Sequence, residues 1–487
     1  METINEDLVL RQMMNGVERE EDEEELRRRE RERKRLERQK RVKDLPTKQK
    51  DESDIKLDKE LSSSSLVIMG HGKENSKDER PNDMSSINDN NNNEQDDDKD
   101  DFDMFSSSIS PILQNINSKN KLATTTKVDD FQDAEGYYKA AIGETMTLYS
   151  NNFKVLGVVG KGVFSTVLKC SIENREETSL PSTVALKFIR HNETMSRAAQ
   201  NEVMFLKKLN HPYIINLELP MAQQQLLEHR GHVVMVFPYL SYNLRDVLQK
   251  FGKGVGLSLQ AVRTYFYQLL SALLHLEDCN IIHADIKPDN MLVTEDFNTV
   301  KLCDFGSAME GGSADAVPTP YLVSRFYRAP DIILGAVPTP AVDLWSVGVT
   351  VAEIFLGRLL FPGHSNNQML GAFMEAMGPF SAKTIRQHLV QVNKLGIPAH
   401  FTQRQQNFIY LQETSQILND KHIVKEIHLQ IYPTSPIQQR LFKAKSSKDP
   451  RLEVQQFGAL LQKVLCLEVT KRISVSEALK HEFFVNS

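Results

Sequence analysis

The sequence predicts an α+β fold, with strands gathered in the first part of the folded region and helices in the second. Three observations carry this. Alternating apolar residues begin at Phe153, and two apolar runs follow, VALKF at 184–188 and HVVMVFPYL at 232–240, which read as strands. A longer amphipathic run at 258–277 has helical spacing. Between the helical run and the rest stand two short polar loops, HADIKPDN at 283–290 and CDFG at 303–306.

With 487 residues, the chain is long enough for two or three average domains, or for one large domain with tails. Hydrophobic residues make up 40% and charged residues 25%, the balance of a soluble protein. The formal charge of −6 is mild, so bulk charge points to no nucleic-acid partner. The cysteines, Cys170, Cys279, Cys303 and Cys466, are too scattered for a metal pair or disulfide framework. They fit a reducing compartment. No apolar run reaches membrane-spanning length and no apolar signal segment opens the chain. A cytosolic or nuclear location is expected.

Residues 19–44 are almost wholly charged, and Glu-to-Arg pairs three and four apart would support an exposed helix. Within them KRLERQKRVK, 34–43, could serve as a basic localisation or RNA-contact segment. Residues 45–127 combine serine runs, an Asn/Asp block and few aromatics, too little apolar surface to offset ordering entropy. A disordered tail over 1–127 is expected. Composition changes near Val128. DDFQDAEGYYKAAIGE, 129–144, reads as an extended arm that packs Phe131, Tyr137 and Tyr138 on a neighbouring surface. The arm is assigned to 128–148, and the folded domain is expected to begin with the strands near Phe153.

The two polar loops carry the chemistry. Their order and spacing resemble the catalytic and metal loops of eukaryotic protein kinases, H-R-D-L-x-x-x-N and D-F-G. The resemblance implies the two-lobed protein kinase fold over 149–484, with a small mainly-β lobe at 149–240 and a large mainly-α lobe at 241–484. It also implies ATP and Mg²⁺ as cofactors. Phosphoryl transfer asks for a carboxylate beside the attacking hydroxyl, for which Asp285 is the candidate. It asks for a cation near the moving group, which Lys287 supplies. It asks for oxygen donors to a hard metal ion, which Asn290 and Asp304 supply.

The small-lobe motifs follow in order. VVGKGVFSTV, 158–167, resembles the glycine-rich loop, with Ser165 in place of the third glycine. Gly160 and Gly162 would let the backbone approach phosphates. Lys187 lies on an apolar strand, where an unpaired ammonium is costly. Glu202, opening the helical pattern NEVMFLKKL at 201–209, is its expected partner. By resemblance Phe237 is the gatekeeper behind the adenine, Leu240 offers its N–H and Pro238 its carbonyl. The nucleotide contacts so implied are Val159, Gly160, Lys161, Gly162, Val163, Phe164, Ser165, Val167, Ala185, Lys187, Glu202, Phe237, Leu240 and Leu292.

In the large lobe the resemblance places His283 in a hydrophobic spine with Phe305 and Leu206. Ala284 stands where the general pattern has an arginine that grips a phosphorylated activation segment. TPYLVSRFYRAPD, 319–331, suggests a different switch, because Arg325 and Arg328 follow Tyr321 by four and seven residues. A phosphate on Tyr321 would bring three acceptor oxygens to two guanidinium forks. Ser324 is expected near Asp285 and Lys287. Asp331 replaces the usual glutamate, so its pair with Arg472 is expected to be longer or bridged by water. Asp343 should brace the catalytic-loop backbone, and Trp345 reads as core. Residues 364–450 carry no legible chemistry, and HFTQRQQNF at 400–408 reads only as a packing segment.

SRFYRAP with LFPG at 360–363 resembles the CMGC group. DAEGYY at 133–138, IRHNETM at 189–195, SYNLRDVLQKFGKGVGL at 241–257, HADIKPDN and TPYLVSRFYRAP resemble the pre-mRNA-processing kinase family numbered four, the splicing-associated kinases. That implies a monomeric nuclear serine/threonine kinase, present also in the cytoplasm, that acts on spliceosomal proteins, autophosphorylates on tyrosine and meets RNA indirectly through ribonucleoprotein. Three rival readings stand beside it: a pseudokinase scaffold, an active kinase of a sister branch with other substrates, and a protein governed chiefly by an RNA-tethering tail.

Overall fold

The computed structural model describes residues 131–485, apart from 134, 149–150, 163, 174–180, 219–226, 253, 313–321, 419–420 and 431. The expectation for the tail lies outside the described residues, as do those for Val163 and Tyr321.

The small lobe is a six-stranded antiparallel sheet in the order β1-β2-β3-β4-β6-β5. Its strands are β1 (Thr145–Leu148), β2 (Asn151–Lys161), β3 (Ser165–Ile172), β4 (Thr183–Ile189), β5 (Leu227–His229) and β6 (His232–Pro238). Period-two alternation sorts the side chains. Leu168, Leu186, Phe188, Val234 and Val236 are buried together with Phe153 and Tyr138. The register sets Val167 opposite Lys187, Lys187 opposite Met235, and Ala185 opposite Phe237. All five therefore share the other face. Helix α1 (Glu193–Lys208) packs beside β4. It starts nine residues before Glu202, because Glu193 and basic Lys207 and Lys208 suit the two ends of its dipole.

Strands begin at Thr145, ahead of Phe153. TMTL alternates over only four residues, too few to stand out in the sequence, but it pairs in full with Asn151–Lys154. The arm before it packs as expected: Tyr137 and Tyr138 are buried, and Tyr138 stacks on Phe188 at 4.3 Å.

The large lobe hangs on two helices, α2 (Leu259–Asp278) and α3 (Ala341–Leu356). Ser258 caps α2 by accepting from the Ala261 N–H. Helix α3 is buried nearly all round, with Trp345 at its centre. Short strands β7 (Tyr242–Asn243), β8 (Ile281–Ile282), β9 (Met291–Val293), β10 (Val300–Leu302) and β11 (Met309–Glu310) frame the catalytic and metal loops. Helices α4 (Asn366–Met377), α5 (Ala382–Leu395), α6 (Ile437–Ala444) and α7 (Arg451–Val464) complete the lobe.

Between α5 and α6 lies a three-stranded antiparallel sheet of β12 (Phe401–Arg404), β13 (Asn407–Leu418) and β14 (Lys421–His428), ordered β12-β13-β14. It was not legible in HFTQRQQNF, whose apolar residues are few. Phe401 and Tyr410, opposite each other, anchor the sheet in the core, and the Tyr410 hydroxyl donates to the Asn367 backbone carbonyl at 2.5 Å.

Asp331 and Arg472 depart from expectation. The pair is direct, with Arg472 Nη2 to Asp331 Oδ1 at 2.6 Å and Nη1 to Oδ2 at 3.1 Å. Arg472 reaches far enough to make up the missing methylene, and carbonyls of Cys466 and Ala341 hold the rest of its fork.

Candidate active site

Lys187 is where the two lobes meet. Its ammonium donates to both oxygens of Glu202, at 2.8 and 2.9 Å, and to Asp304 Oδ1 at 2.7 Å. Burial would push this lysine down, but Asp304 and Glu202 outweigh it and raise it above its ordinary value. In return Lys187 holds the Asp304 carboxyl down at about 2. Glu202 goes the other way, raised by burial. The two carboxylates are thus unequal: Asp304 stays anionic and partly exposed, whereas Glu202 is an internal anchor. A β-carbon at Gly306 would make ordinary contact with both, 3.4 Å from Asp304 Oδ1 and 3.7 Å from Glu202 Oε2.

The second cluster forms around Asp285. One carboxylate oxygen accepts from Asn290 Nδ2 at 2.9 Å and pairs with Lys287 at 2.9 Å. The other accepts from the Ser324 hydroxyl at 2.7 Å, and Lys287 donates to that same hydroxyl at 3.1 Å. A carboxylate offers about four lone-pair directions, so three donors leave room for one more. The Asn290 amide nitrogen also donates to the Asp285 carbonyl. The atom left over is the amide oxygen, the kind a hard cation takes.

The backbone that aims these groups is itself held. Asp343 accepts from the N–H of His283 at 2.6 Å and of Ala284 at 3.0 Å. Burial raises its carboxyl. Ala284 has φ +62° and Asp304 φ +65°, left-handed values that non-glycine residues seldom adopt and that the surrounding hydrogen bonds must maintain. His283 is fully buried, packs on Phe305 at 4.7 Å and bonds the Cys303 carbonyl at 3.0 Å. Leu206 shares that core.

The nucleotide side is less enclosed. Gly160 lies opposite Val167 in the β2–β3 hairpin. Neither Gly160 nor Gly162 needs a left-handed backbone, and a β-carbon on either would meet no protein atom within 4 Å. Protein packing therefore does not explain these glycines. Val159 and Phe164 are half exposed, and Ser165 is buried. Phe237 packs against both hydrophobic cores, and Leu240 and Leu292 are half-buried against the larger one.

Arg325 is exposed. Arg328 is buried and already engaged, donating to the carbonyls of Leu322 and Val323 and to Asn366. A phosphate nearby would have to share its fork.

Sequence reasoning passed over Arg245. It makes a bidentate pair with Asp289 of the catalytic loop, 2.9 Å on each arm, and reaches Glu353 of α3 at 3.1 Å and the Tyr327 hydroxyl at 2.8 Å. The available signal was Glu353, which with Asp343 is one of two acids in a mostly apolar helix.

Three carboxylates, two lysines and an asparagine, in two clusters with an unobstructed glycine hairpin above Lys187 in the sheet, are the kinds of group that phosphoryl transfer uses. The family model for the protein kinase domain matches residues 153–484. The chain is 39% identical over 389 residues to the serine/threonine-protein kinase prp4 of Schizosaccharomyces pombe, covering 79% of this chain and 77% of that one.

The chain belongs to the protein kinase family, in its prp4 branch.

The kinase is also similar to the serine/threonine-protein kinase prpf4B of Dictyostelium discoideum, 40% over 361 residues, spanning 73% of this chain but 42% of that longer protein. Likeness to homeodomain-interacting protein kinase 1 of Caenorhabditis elegans is lower, 33% over 287 residues, covering 56% of this chain and 33% of that one. It is an ATP-dependent serine/threonine protein kinase, using a divalent metal and acting on proteins. Among the described residues no helix is long and apolar enough to cross a membrane.

Proposed function

We propose that this kinase transfers the ATP γ-phosphoryl group to serine and threonine of pre-mRNA splicing proteins in the nucleus, as a monomer, with Mg²⁺ as its metal. The observation that carries the catalytic part is the pair of clusters, Lys187 with Asp304 and Asp285 with Asn290, linked by the Cys303 N–H donating to the Asn290 carbonyl at 3.0 Å. Asp285 has one lone-pair direction free to take the substrate hydroxyl, held by Asn290, Ser324 and Lys287. Lys287 balances charge on the transferred group and Lys187, anchored by Glu202, positions the phosphates. Asp304 and the Asn290 amide oxygen would supply protein oxygens to Mg²⁺, whose charge would offset that of the phosphates. This suits an ion that prefers one or two protein oxygens plus phosphate to a dense protein cage. Among the described residues no denser cluster of metal-ligating side chains exists.

All the groups whose loss marks a pseudokinase are present here, which argues against a scaffold role. The splicing assignment rests on the motifs DAEGYY, HADIKPDN and TPYLVSRFYRAP and on the kinship with prp4. Contact with RNA is indirect, through ribonucleoprotein substrates. Tyr321 autophosphorylates and is then held by Arg325 and, in part, Arg328.

The experiment incubates the full chain with nuclear extract and Mg-ATP, beside Asp285→Asn, and maps phosphosites by mass spectrometry. Enrichment of splicing proteins and phosphate on Tyr321, both lost in the variant, is expected. A substrate set without splicing proteins would sink the substrate assignment and leave the transferase intact. Retained labelling by Asp285→Asn would overturn the role given to Asp285.

A further inference from the structure

The arm at 133–138 reaches the tip of the glycine hairpin. Lys161, between Gly160 and Gly162, extends its ammonium to Asp133 Oδ2 at 2.8 Å and over the Tyr137 ring at 3.9 Å from the centroid. Arg190 covers the same ring at 5.0 Å, its side chain donates to the Glu135 carbonyl, and its own N–H bonds the Phe164 carbonyl at 2.9 Å. One tyrosine is thus flanked by two cations, one fixed to each side of the hairpin tip.

The arm has the rigidity to act as a support. Asp133 Oδ1 accepts from the N–H of Tyr137 at 2.9 Å and of Glu135 at 3.0 Å. Gly136 has φ +84°, and a β-carbon there would lie 3.1 Å from the His191 carbonyl. The close approach allows His191 to donate its N–H to the Gly136 carbonyl at 2.8 Å. Below, Tyr138 and Arg230 both bond Glu144, at 2.9 and 2.6 Å. By contrast Gly160 and Gly162 bring no side chains to the hairpin tip, which is held by strand pairing and by the Gly162 N–H donating to the Ser165 carbonyl at 2.9 Å. The arm adds the side-chain contacts that the glycines do not supply.

We propose that Asp133 and Tyr137 are positioning residues for ATP, holding Lys161 so that the backbone of Gly160–Gly162 is preset over the phosphates. This rests on reading 158–167 as the nucleotide loop. Its contacts with the hairpin fall on Lys161 and, through Arg190, on Phe164, among the residues read as cradling phosphates, so its effect is expected on ligands that carry phosphates. Each contact is modest: an exposed ion pair and a cation–π pair are each worth about threefold in binding.

The test uses the full chain with Asp133→Asn, Tyr137→Ala, Tyr137→Phe and Lys161→Met. Asp133→Asn keeps the backbone bonds and removes only the charge; Tyr137→Phe keeps the ring face. The KM for Mg-ATP is expected to rise about threefold in Asp133→Asn and Tyr137→Ala and about tenfold in their double variant. Little change is expected in kcat, and Tyr137→Phe should match the parent. In the Lys161→Met background Asp133→Asn should add nothing. The Kd for adenosine, which has no phosphates, should stay fixed throughout. An unchanged KM, or a parallel rise in the adenosine Kd, would overturn the proposal, the second by showing that the arm merely supports the lobe. Failure of the underlying loop assignment would be seen separately, as Lys161→Met, Gly160→Val and the parent all sharing one KM.

Discussion

At the scale of single residues, most of the site follows from local chemistry in the chain. Lys187 was legible because an ammonium on an apolar strand demands an acid, and Glu202 bonds it with both oxygens. Asp285, Asn290 and Asp304 were legible from order and spacing. Arg245 was not, because its partners Asp289 and Glu353 lie 44 and 108 residues along the chain. Ser324 links the activation segment to Asp285, so its hydroxyl is expected to have a kinetic signature. Ser324→Ala is expected to lower kcat about tenfold, the scale of one hydrogen bond to a charged group, while the KM for ATP stays put and Ser324→Thr restores the rate. A steady-state assay with a peptide substrate checks it; equal kcat in the alanine variant would show that the bond to Asp285 contributes nothing. Lys187→Met should have a larger effect, a kcat loss of about a hundredfold or more in the same assay, because it strips the cation from between two carboxylates.

Among elements, the Arg245 network ties three together: the turn Leu244–Val247, the catalytic loop and α3. Glu353 is 2% exposed. Arg245→Leu leaves it and Asp289 without their cation, which typically costs about 3 kcal/mol when a buried pair loses one member. A lowered urea midpoint with unchanged slope is expected, and an unmoved midpoint would contradict it. A second element-level device is the stacked pair His388 and His400, 5.5 Å apart, from α5 and the start of the extra sheet. His400 donates its backbone N–H to His388, and Asn367 bonds the His400 ring. Burial lowers both rings, His400 to about 4. Folded, they stay neutral; unfolded, they take protons near their ordinary value of about 6.5. Their contribution is therefore complete above about pH 6.5 and is lost as pH falls from there through 4. Urea titrations should show stability declining across that window, and His400→Gln should flatten the decline. The sheet itself escaped the sequence because its fixing contacts, Tyr410 to Asn367 and His388 to His400, join positions too distant for any periodicity to reveal.

Across the whole molecule, the lobes meet at one ion-paired lysine. Because Asp304 is held anionic by Lys187, a divalent ion that draws on Asp304 should add its binding energy to the fold. At a hundred times its Kd, a ligand adds about 2.7 kcal/mol. Mg-ATP is expected to raise the melting temperature by more than ATP with a chelator, and Asp304→Asn should abolish the difference; a metal-dependent shift surviving in that variant would remove Asp304 from the metal site. The α+β class and the order of the lobes were legible because strand alternation and helical amphipathicity are local. The arm's grip on the hairpin was not, since Asp133 and Lys161 are 28 residues apart and each looks like an ordinary surface charge.

Strand β14 lies at the margin of its sheet, with Ile423, Val424 and Ile427 open to solvent. Such a margin is a template on which a stray extended chain can grow. Lys425 and Glu426 interrupt the apolar run, and Arg404 ties Glu426 down at 2.6 Å. The solubility of the protein at high concentration thus depends on two charges remote from the chemistry. Preparations carrying Lys425→Val and Glu426→Val should keep full activity when dilute and scatter light when concentrated.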